Sequence, residues 1–284
     1  MQPNAAAVAF QGERGAYGEL AALQYFRKAR MVPLKSFSDV FDAAERGKVG
    51  SAVVPVENSI EGSVNEVYDL LLETKKLEVT GEVYQRVHHC LIANPGVDKK
   101  MIRQAHSHPQ ALAQCRTYLQ KNRIEAIPAY DTAGAVKMIR ESGSTDSAAI
   151  ASRRAAELYS MQILDEGIED RKNNYTRFLV LSLRGADKKK PSRKDNSRHK
   201  TSIIFSVKHV PGALFGIVGE FAIRGINLTR IESRPTKETP WEYNFYVDLE
   251  GHSRERQVKE ALKAISPKTQ YVKVLGSYRA AEFD

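Results

Sequence analysis

The sequence predicts a large α/β region followed by a separate, small α+β domain, and three observations carry that prediction. Up to residue 184, short apolar segments alternate with helical patterns. A basic stretch without periodicity, Arg184 to Lys200, then interrupts the chain. Beyond it the element order changes. At 284 residues the chain is long enough for two or three compact domains with substantial cores.

In the first region "AAAVAFQ" leads into "AYGELAALQYFRKA", "SAVVPVE" into "VNEVYDLLLET", "RQAHS" into "PQALAQCRTYLQKN", "EAIPAY" into "TAGAVKMIRES", and "SAAIAS" into "RRAAELYS". Strand followed by helix, repeated, is the grammar of an α/β architecture. Ser38 and Thr132 are natural helix caps, and Pro109 sits where a first helical residue tolerates proline.

After the basic stretch, "TSIIFSVKH" is a strand and "GALFGIVGEFAIRG" an apolar helix that Gly225 can stop. "INLTRIESRP" is a second strand. In "WEYNFYVDLE" the residues Trp241, Tyr243, Phe245, Val247 and Leu249 share one face of a third, with Glu242, Asn244, Asp248 and Glu250 opposite. Val258, Ala261, Leu262 and Ile265 make an amphipathic helix, and "YVKVLGSY" closes the set. The order β-α-β-β-α-β is that of a ferredoxin-like sandwich.

Charge and composition exclude several classes. Hydrophobic content of 42% and charged content of 27% are ordinary for a globular protein. The net charge is +9, and "RGADKKKPSRKDNSRHK" alone holds eight Lys/Arg against two Asp. Such a stretch reads as a solvated linker. It has no interleaved aromatics for base stacking, so nucleic acid is not an expected partner. No apolar run approaches the roughly 20 residues that span a bilayer, so no membrane is expected either. The N-terminus lacks the basic and apolar segments of a signal peptide. With only Cys90 and Cys115, a reduced cytoplasmic setting is expected.

Four polar clusters fall at the ends of expected strands, where open α/β sheets place ligands. "FQGERGAYGE" is glycine-rich and enters a helix, without the GxGxxG spacing. "VPVENSIEG" brings Glu57, Asn58 and Ser59 directly after an apolar run. In "AHSHPQALAQC", Ser107 ends a strand, and Gln110 and Gln114 share a helix face. "NNYTRFLVL" sets Asn173, Asn174, Thr176 and Arg177 at the mouth of a buried strand. Each cluster also fits a duller role: a glycine turn, a helix cap, a turn before a strand. His106 and His108, like His88 and His89, lack a third ligand in sequence, so no metal site is expected.

Taken in order, "GAYGELAA", "VPVENSIEG", "SHPQALAQC", "AAIAS" with "AAELY", and "NNYTRFLVL" resemble the prephenate dehydratase family. The second region looks like an ACT domain, with "PGALF" opening its first helix and "ESRP" ending its second strand. The resemblance implies a two-lobed catalytic region similar to type II periplasmic binding proteins, over residues 4–184, with the site between lobes. One lobe would span about 4–80 and 170–184, the other about 82–168; 185–200 would be the linker and 201–280 the ACT domain.

The implied activity is a lyase reaction of phenylalanine biosynthesis that turns prephenate into phenylpyruvate without a cofactor. By the same resemblance Thr176 of "TRF" is the residue nearest catalysis, with Glu57, Asn58, Ser107 and Gln114 beside it. Gly15, Ala16, Tyr17, Ser59, Gln110, Thr132, Arg177 and Phe178 would bind substrate. Phenylalanine would act as feedback inhibitor at Gly212, Ala213, Leu214, Asn227, Leu228, Glu232, Ser233 and Arg234, in a homodimer or homotetramer. The first loop departs from the family, which often has proline and threonine or serine there. Here Glu13, Arg14 and Gly18 stand in "GERGAYGE". No mutase region is expected ahead of residue 4. Two alternatives stand beside this reading: an arogenate dehydratase, and a non-catalytic amino-acid sensor. The intact "TRF" favours the enzyme, because a sensor needs no proton donor.

Overall fold

The computed structural model describes residues 7–186, 197–236 and 240–282. Residues 4–6 of the expected catalytic region and 187–196 of the expected linker lie outside the described residues. The chain divides into two compact units: Met1–Leu70 with Val83–Leu179, and Leu71–Glu82 with Val180–Asp284.

The first region runs β1 (Val8–Gln11), α1 (Tyr17–Tyr25), β2 (Met31–Leu34), α2 (Phe37–Glu45), β3 (Ser51–Asn58), β4 (Gly62–Ser63), α3 (Asn65–Glu73) and β5 (Leu77–Arg86). It continues with β6 (Cys90–Ala93), β7 (Gln104–Ser107), α4 (Pro109–Gln114), α5 (Arg116–Asn122), β8 (Glu125–Pro128), α6 (Thr132–Ser142), β9 (Ser147–Ala151), α7 (Arg153–Leu158), β10 (Gln162–Glu166) and β11 (Tyr175–Leu183). Two sheets result, one per lobe. The first has the order β2-β1-β3-β11-β5 with β4 beside β3, and the second β10-β6-β9-β7-β8. Central strands β1 and β3 pair in parallel. Val8, Ala9, Phe10 and Ala52 to Val54 are fully buried, which is why these strands read as unbroken apolar runs.

Two crossings join the lobes, one between β5 and β6 and one between β10 and β11. Val87 N–H donates to Asn174 O (2.8 Å) and Ile168 N–H to His89 O (3.2 Å), so the crossings are laced together. The β1–α1 loop also reaches the second lobe. Ser152 Oγ donates to Gly15 O at 2.6 Å, and a Cβ at Gly15 would lie 2.7 Å from Ala155 Cα. With φ at +92°, Gly15 is the residue this close approach requires.

Several helix ends differ from expectation. Ser36, not Ser38, caps α2, in a reciprocal capping box with Asp39. Asp131, not Thr132, caps α6, accepting from Gly134 N–H at 2.8 Å; an acceptor placed one residue earlier reaches the unpaired N–H groups of the first turn. The helix after Pro109 is broken at Cys115 into α4 and α5, while Pro109 does occupy the first turn.

The C-terminal part of the second unit runs β12 (His199–Ser206), α8 (Ala213–Ala222), β13 (Leu228–Pro235), β14 (Tyr243–Glu250), α9 (Arg256–Ile265) and β15 (Tyr271–Arg279). The antiparallel sheet has the order β13-β14-β12-β15. Ile203, Phe205, Val247 and Leu249 pack against Ile217, Phe221, Val258 and Ile265 of the two helices. Trp241 does not join the β14 face: it precedes the strand at φ +68° and is 76% exposed. The opposite face is not a solvent face either. Asn244, Tyr246 and Asp248 are buried, with Asn244 accepting from Tyr271 O–H (2.5 Å) and Asp248 from Ser202. Segment 71–82 belongs to this unit, and its backbone lies so near β15 that a Cβ at Gly276 would fall 2.0 Å from Val79 O. Lys273 Nζ donates to the carbonyls of Leu71 and Leu72 (3.0 and 2.7 Å) at the end of α3, where a cation complements the helix dipole.

Candidate active site

A cleft of about 720 Å³ opens in the first unit, lined from both lobes. Its walls are segments that leave the carboxyl ends of strands. Gln11 and Gly12 end β1; Lys35, Ser36 and Phe37 join β2 to α2; Asn58 ends β3. From the second lobe come His108, which follows β7, and Tyr130 to Thr132, which follow β8. This is the position at which parallel sheets expose both chain turns and helix N-termini.

One hydrogen-bonded chain runs through the floor. Asn58 Oδ1 accepts from Ile60 N–H (3.0 Å) and Glu61 N–H (3.1 Å), which fixes the orientation of its amide. Its Nδ2 then donates to Thr176 Oγ1 (3.0 Å), Asn174 Oδ1 (2.8 Å) and Tyr175 O (3.2 Å). Asn174, fully buried, passes the pattern on: its Nδ2 donates to Gln114 Oε1 at 2.8 Å. Gln114 Oε1 is also 3.0 Å from His89 Nε2. Tyr17 O–H lies 2.8 Å from His88 O and 3.1 Å from His89 Nδ1, and its one hydrogen is shared between these two acceptors. Burial lowers the His89 pKa and raises that of Tyr17 well above the ordinary tyrosine value. Gln114 Oε1 already receives Asn174 Nδ2–H and can only accept, so a neutral His89 carries its proton on Nε2 and donates there, which leaves Nδ1 as an acceptor. Thr176 Oγ1 accepts from Asn58, so its own hydrogen is left to donate into the cleft. An accepted hydrogen bond also polarises the hydroxyl and strengthens it as a donor.

Charge in the lining is uneven. Among the described residues of the lining, Lys35 is the one Lys or Arg. Glu66 lines the opening, whereas Asp131 spends its carboxylate on Gly134 N–H and on Glu13 N–H (3.0 Å). The N-terminus of α1 meets the cleft at Ala16, Tyr17 and Gly18, with no side-chain cap at Ala16. Together with the start of α2 this makes the cleft receptive to anions. Tyr130, whose ring lies against Gly134, donates to Glu13 Oε1 at 3.2 Å.

Ala16, Tyr17, Asn58, Gln110, Gln114, Thr132, Thr176 and Phe178 of the expected site line this cleft. Five others do not. Ser107 is fully buried and donates to Ile150 O at 2.6 Å inside the sheet. Arg177 is buried on the side of β11 opposite Thr176 and Phe178, because side chains alternate along a strand. Glu57, between Val56 and Asn58 on β3, is not among the lining residues. Ser59 ties the return crossing, donating to Asn173 O (3.1 Å) and accepting from Tyr175 N–H (3.0 Å). Gly15 gives its N–H to the buried carboxylate of Glu19 at 2.7 Å. Lys35, His89, His108 and Tyr130 line the cleft from outside the expected set, and Asn174 of the "NNYTRFLVL" cluster stands behind them. Among the described residues no cluster of three or more His, Cys, Asp or Glu is placed to hold a metal.

In the C-terminal domain a small hollow of about 110 Å³ is lined by Ala213 and Leu214 of the expected effector set, with Val207, Lys208, Trp241 and Phe245 among its other walls. Gly212, Asn227, Leu228, Glu232, Ser233 and Arg234 do not line it. Gly212 starts α8 at φ +78°. Leu228, Glu232, Ser233 and Arg234 lie on the edge strand β13, where Glu232 pairs with Arg230 at 3.3 Å.

Residues 8–186 match the prephenate dehydratase family and residues 201–267 the ACT domain family. The arogenate dehydratase/prephenate dehydratase 2 of Arabidopsis thaliana chloroplasts is 42% identical over 281 residues, covering 95% of this chain and 72% of that protein. A crystal structure of a prephenate dehydratase from Arthrobacter aurescens in complex with L-Phe is 30% identical with a TM-score of 0.87, over 97% of this chain and 90% of that one. A structure described as a novel type of quorum quenching acylase is 35% identical with a TM-score of 0.88, over 98% and 99%.

Proposed function

The chain belongs to the prephenate dehydratase family, with an ACT domain behind its catalytic region, and from that premise we propose how its cleft works. The reaction converts prephenate to phenylpyruvate with loss of water and carbon dioxide. The electron pair of the bond to the ring carboxylate moves into the ring as carbon dioxide departs. The ring C–O bond breaks with its pair on oxygen, and a proton converts the leaving hydroxide to water. Aromatisation drives the step, so the protein has to bind a dianion and assist the leaving group. Thr176 donates to that hydroxyl. The observation that carries this role is the Asn58-to-Thr176 hydrogen bond, which leaves the threonine hydrogen as a donor. Proton donation to a leaving group is typically worth about 10²–10⁴ in rate. Lys35 and the N-termini of α1 and α2 receive the carboxylates.

The same observation weighs against acylase chemistry. A hydrolytic threonine needs a base to remove its proton, and the partner of Thr176 is an amide that donates. Residues 4–184 are taken as the catalytic region, 185–200 as linker and 201–280 as the regulatory domain. Phenylalanine is the effector, received around Ala213 and Leu214 in the hollow beside α8, and the protein works as a homodimer or homotetramer in the cytoplasm.

The test is phenylpyruvate formation from purified prephenate by the unaltered chain and by Thr176→Ala, with and without phenylalanine, and with arogenate offered in parallel. Turnover of prephenate that collapses in the variant and falls with phenylalanine supports the assignments. Turnover of arogenate alone would replace the substrate, and turnover of neither would sink the reading.

A further inference from the structure

His89 is 2% exposed, yet both of its ring nitrogens are engaged by side chains that line the cleft. Nε2 meets Gln114 Oε1 at 3.0 Å and Nδ1 meets Tyr17 O–H at 3.1 Å. Its backbone is held as well: His89 N–H donates to the buried Glu169 Oε2 at 3.0 Å. Tyr17 and His89 pack edge to face with ring centroids 5.6 Å apart. An imidazole with both nitrogens spent has nothing left to offer a ligand. It can still determine what its neighbour offers.

Gln114 Oε1 receives two donors, Asn174 Nδ2 and His89 Nε2. With both of those directed at the oxygen, the NH2 end of the Gln114 amide is turned toward the cleft it lines. A glutamine held by one bond can swap its two ends at little cost; one held by two donors at the same oxygen cannot without facing donor to donor. We propose that His89 is a positioning residue, holding Gln114 so that its NH2 group donates to an acceptor of the substrate, a carboxylate or hydroxyl oxygen. The inference rests on the dehydratase reading for the identity of that acceptor, and on geometry for the rest.

A double-mutant cycle tests it. His89→Leu removes the donor while leaving Tyr17 its bond to His88 O and Gln114 its bond to Asn174, so no buried group is orphaned. His89→Gln keeps an N–H close to the position of Nε2. The expected result is a loss of kcat/KM of roughly 10-fold in His89→Leu, about the worth of one buried hydrogen bond to a functional group. In a Gln114→Ala background the same substitution should change kcat/KM by less than about 3-fold. His89→Gln should recover most of the loss. Equal losses in both backgrounds, no loss in the single variant, or a His89→Gln protein no better than His89→Leu would each overturn the proposal. The same cycle read in the dissociation constant of phenylpyruvate by calorimetry separates the two claims. Coupling there without turnover by the unaltered chain leaves His89 in its role and removes the dehydratase reading instead.

Discussion

Asn58 and Thr176 stand 118 positions apart in sequence and meet at 3.0 Å, amide hydrogen to hydroxyl oxygen. The meeting is set by two strand ends in one sheet, β3 and β11, which are neighbours in the sheet order. It gives the threonine its direction: acceptor toward the protein, donor toward the cleft. Replacing Asn58 by Asp would put an acceptor where a donor stands and pull the threonine hydrogen inward. Asn58→Asp is therefore expected to lose about 10² or more in kcat, while Thr176→Ser, which keeps the hydroxyl, stays within about 10-fold. Steady-state phenylpyruvate production measures both, and equal losses would refute the donor role.

Lys35 supplies the single Lys or Arg side chain of the lining among the described residues. Lys35→Met should raise KM about 5- to 30-fold with a smaller change in kcat, because a charge that binds a carboxylate acts on the ground state as well as on the transition state. Lys35→Arg should recover part of the affinity. The KM of the unaltered chain should rise with ionic strength, and that of Lys35→Met should rise less.

Gly15→Ala forces a Cβ to within 2.7 Å of Ala155 Cα on backbone at φ +92°. A loss of about 2–4 kcal/mol is expected from the combined strain and overlap. Ser152→Ala, which deletes only the 2.6 Å bond to Gly15 O, should lose about 1–2 kcal/mol. Urea unfolding midpoints rank the two, and a neutral Gly15→Ala would show that the loop and α7 do not pack as described.

Burial holds His89 below the usual imidazole value of 6.5, and His106, His108 and His252 shift the same way. As pH falls, the unfolded chain takes up these protons first, so it binds more protons than the folded one and stability declines. The contribution is fully present above the unfolded value and is lost as pH drops through 6.5 toward the lower folded value. The Tm should fall between about pH 6.5 and 5, where few carboxylates yet titrate. His89→Gln should fall less steeply over that interval.

Much of the fold was legible because periodicity is local. Apolar runs such as Ala52 to Val56 and the i, i+3, i+4, i+7 pattern of α9 carry their own geometry. Cleft membership was legible where a residue ends a strand or opens the helix that comes after one, as at Asn58 and Thr132. It failed where the face of the strand decides. Arg177 sits between Thr176 and Phe178, and alternation sends it the other way, while Glu57 stays out of the lining one residue from Asn58. Ser107 carried the right group at a strand end, but a neighbouring carbonyl in the sheet claims it. Lys35 and His89 left no motif of their own, because one is an isolated lysine after a short strand and the other lies in a crossing. A useful signal for α2 was present, since Ser36 and Asp39 have capping-box spacing. The buried polar face of β14 could not be read, because Asp248 and Asn244 find their partners, Ser202 and Tyr271, on strands distant in sequence.

Consider where the members of the floor chain are rooted. Asn58 and Thr176 belong to one lobe, Gln114 to the other, and Asn174 to the crossing between them. The 2.8 Å bond from Asn174 to Gln114 exists only while the lobes are together. That bond fastens Gln114 of the second lobe to a donor whose aim is already set in the first, since Ile60 and Glu61 N–H orient Asn58 and Asn58 orients Thr176.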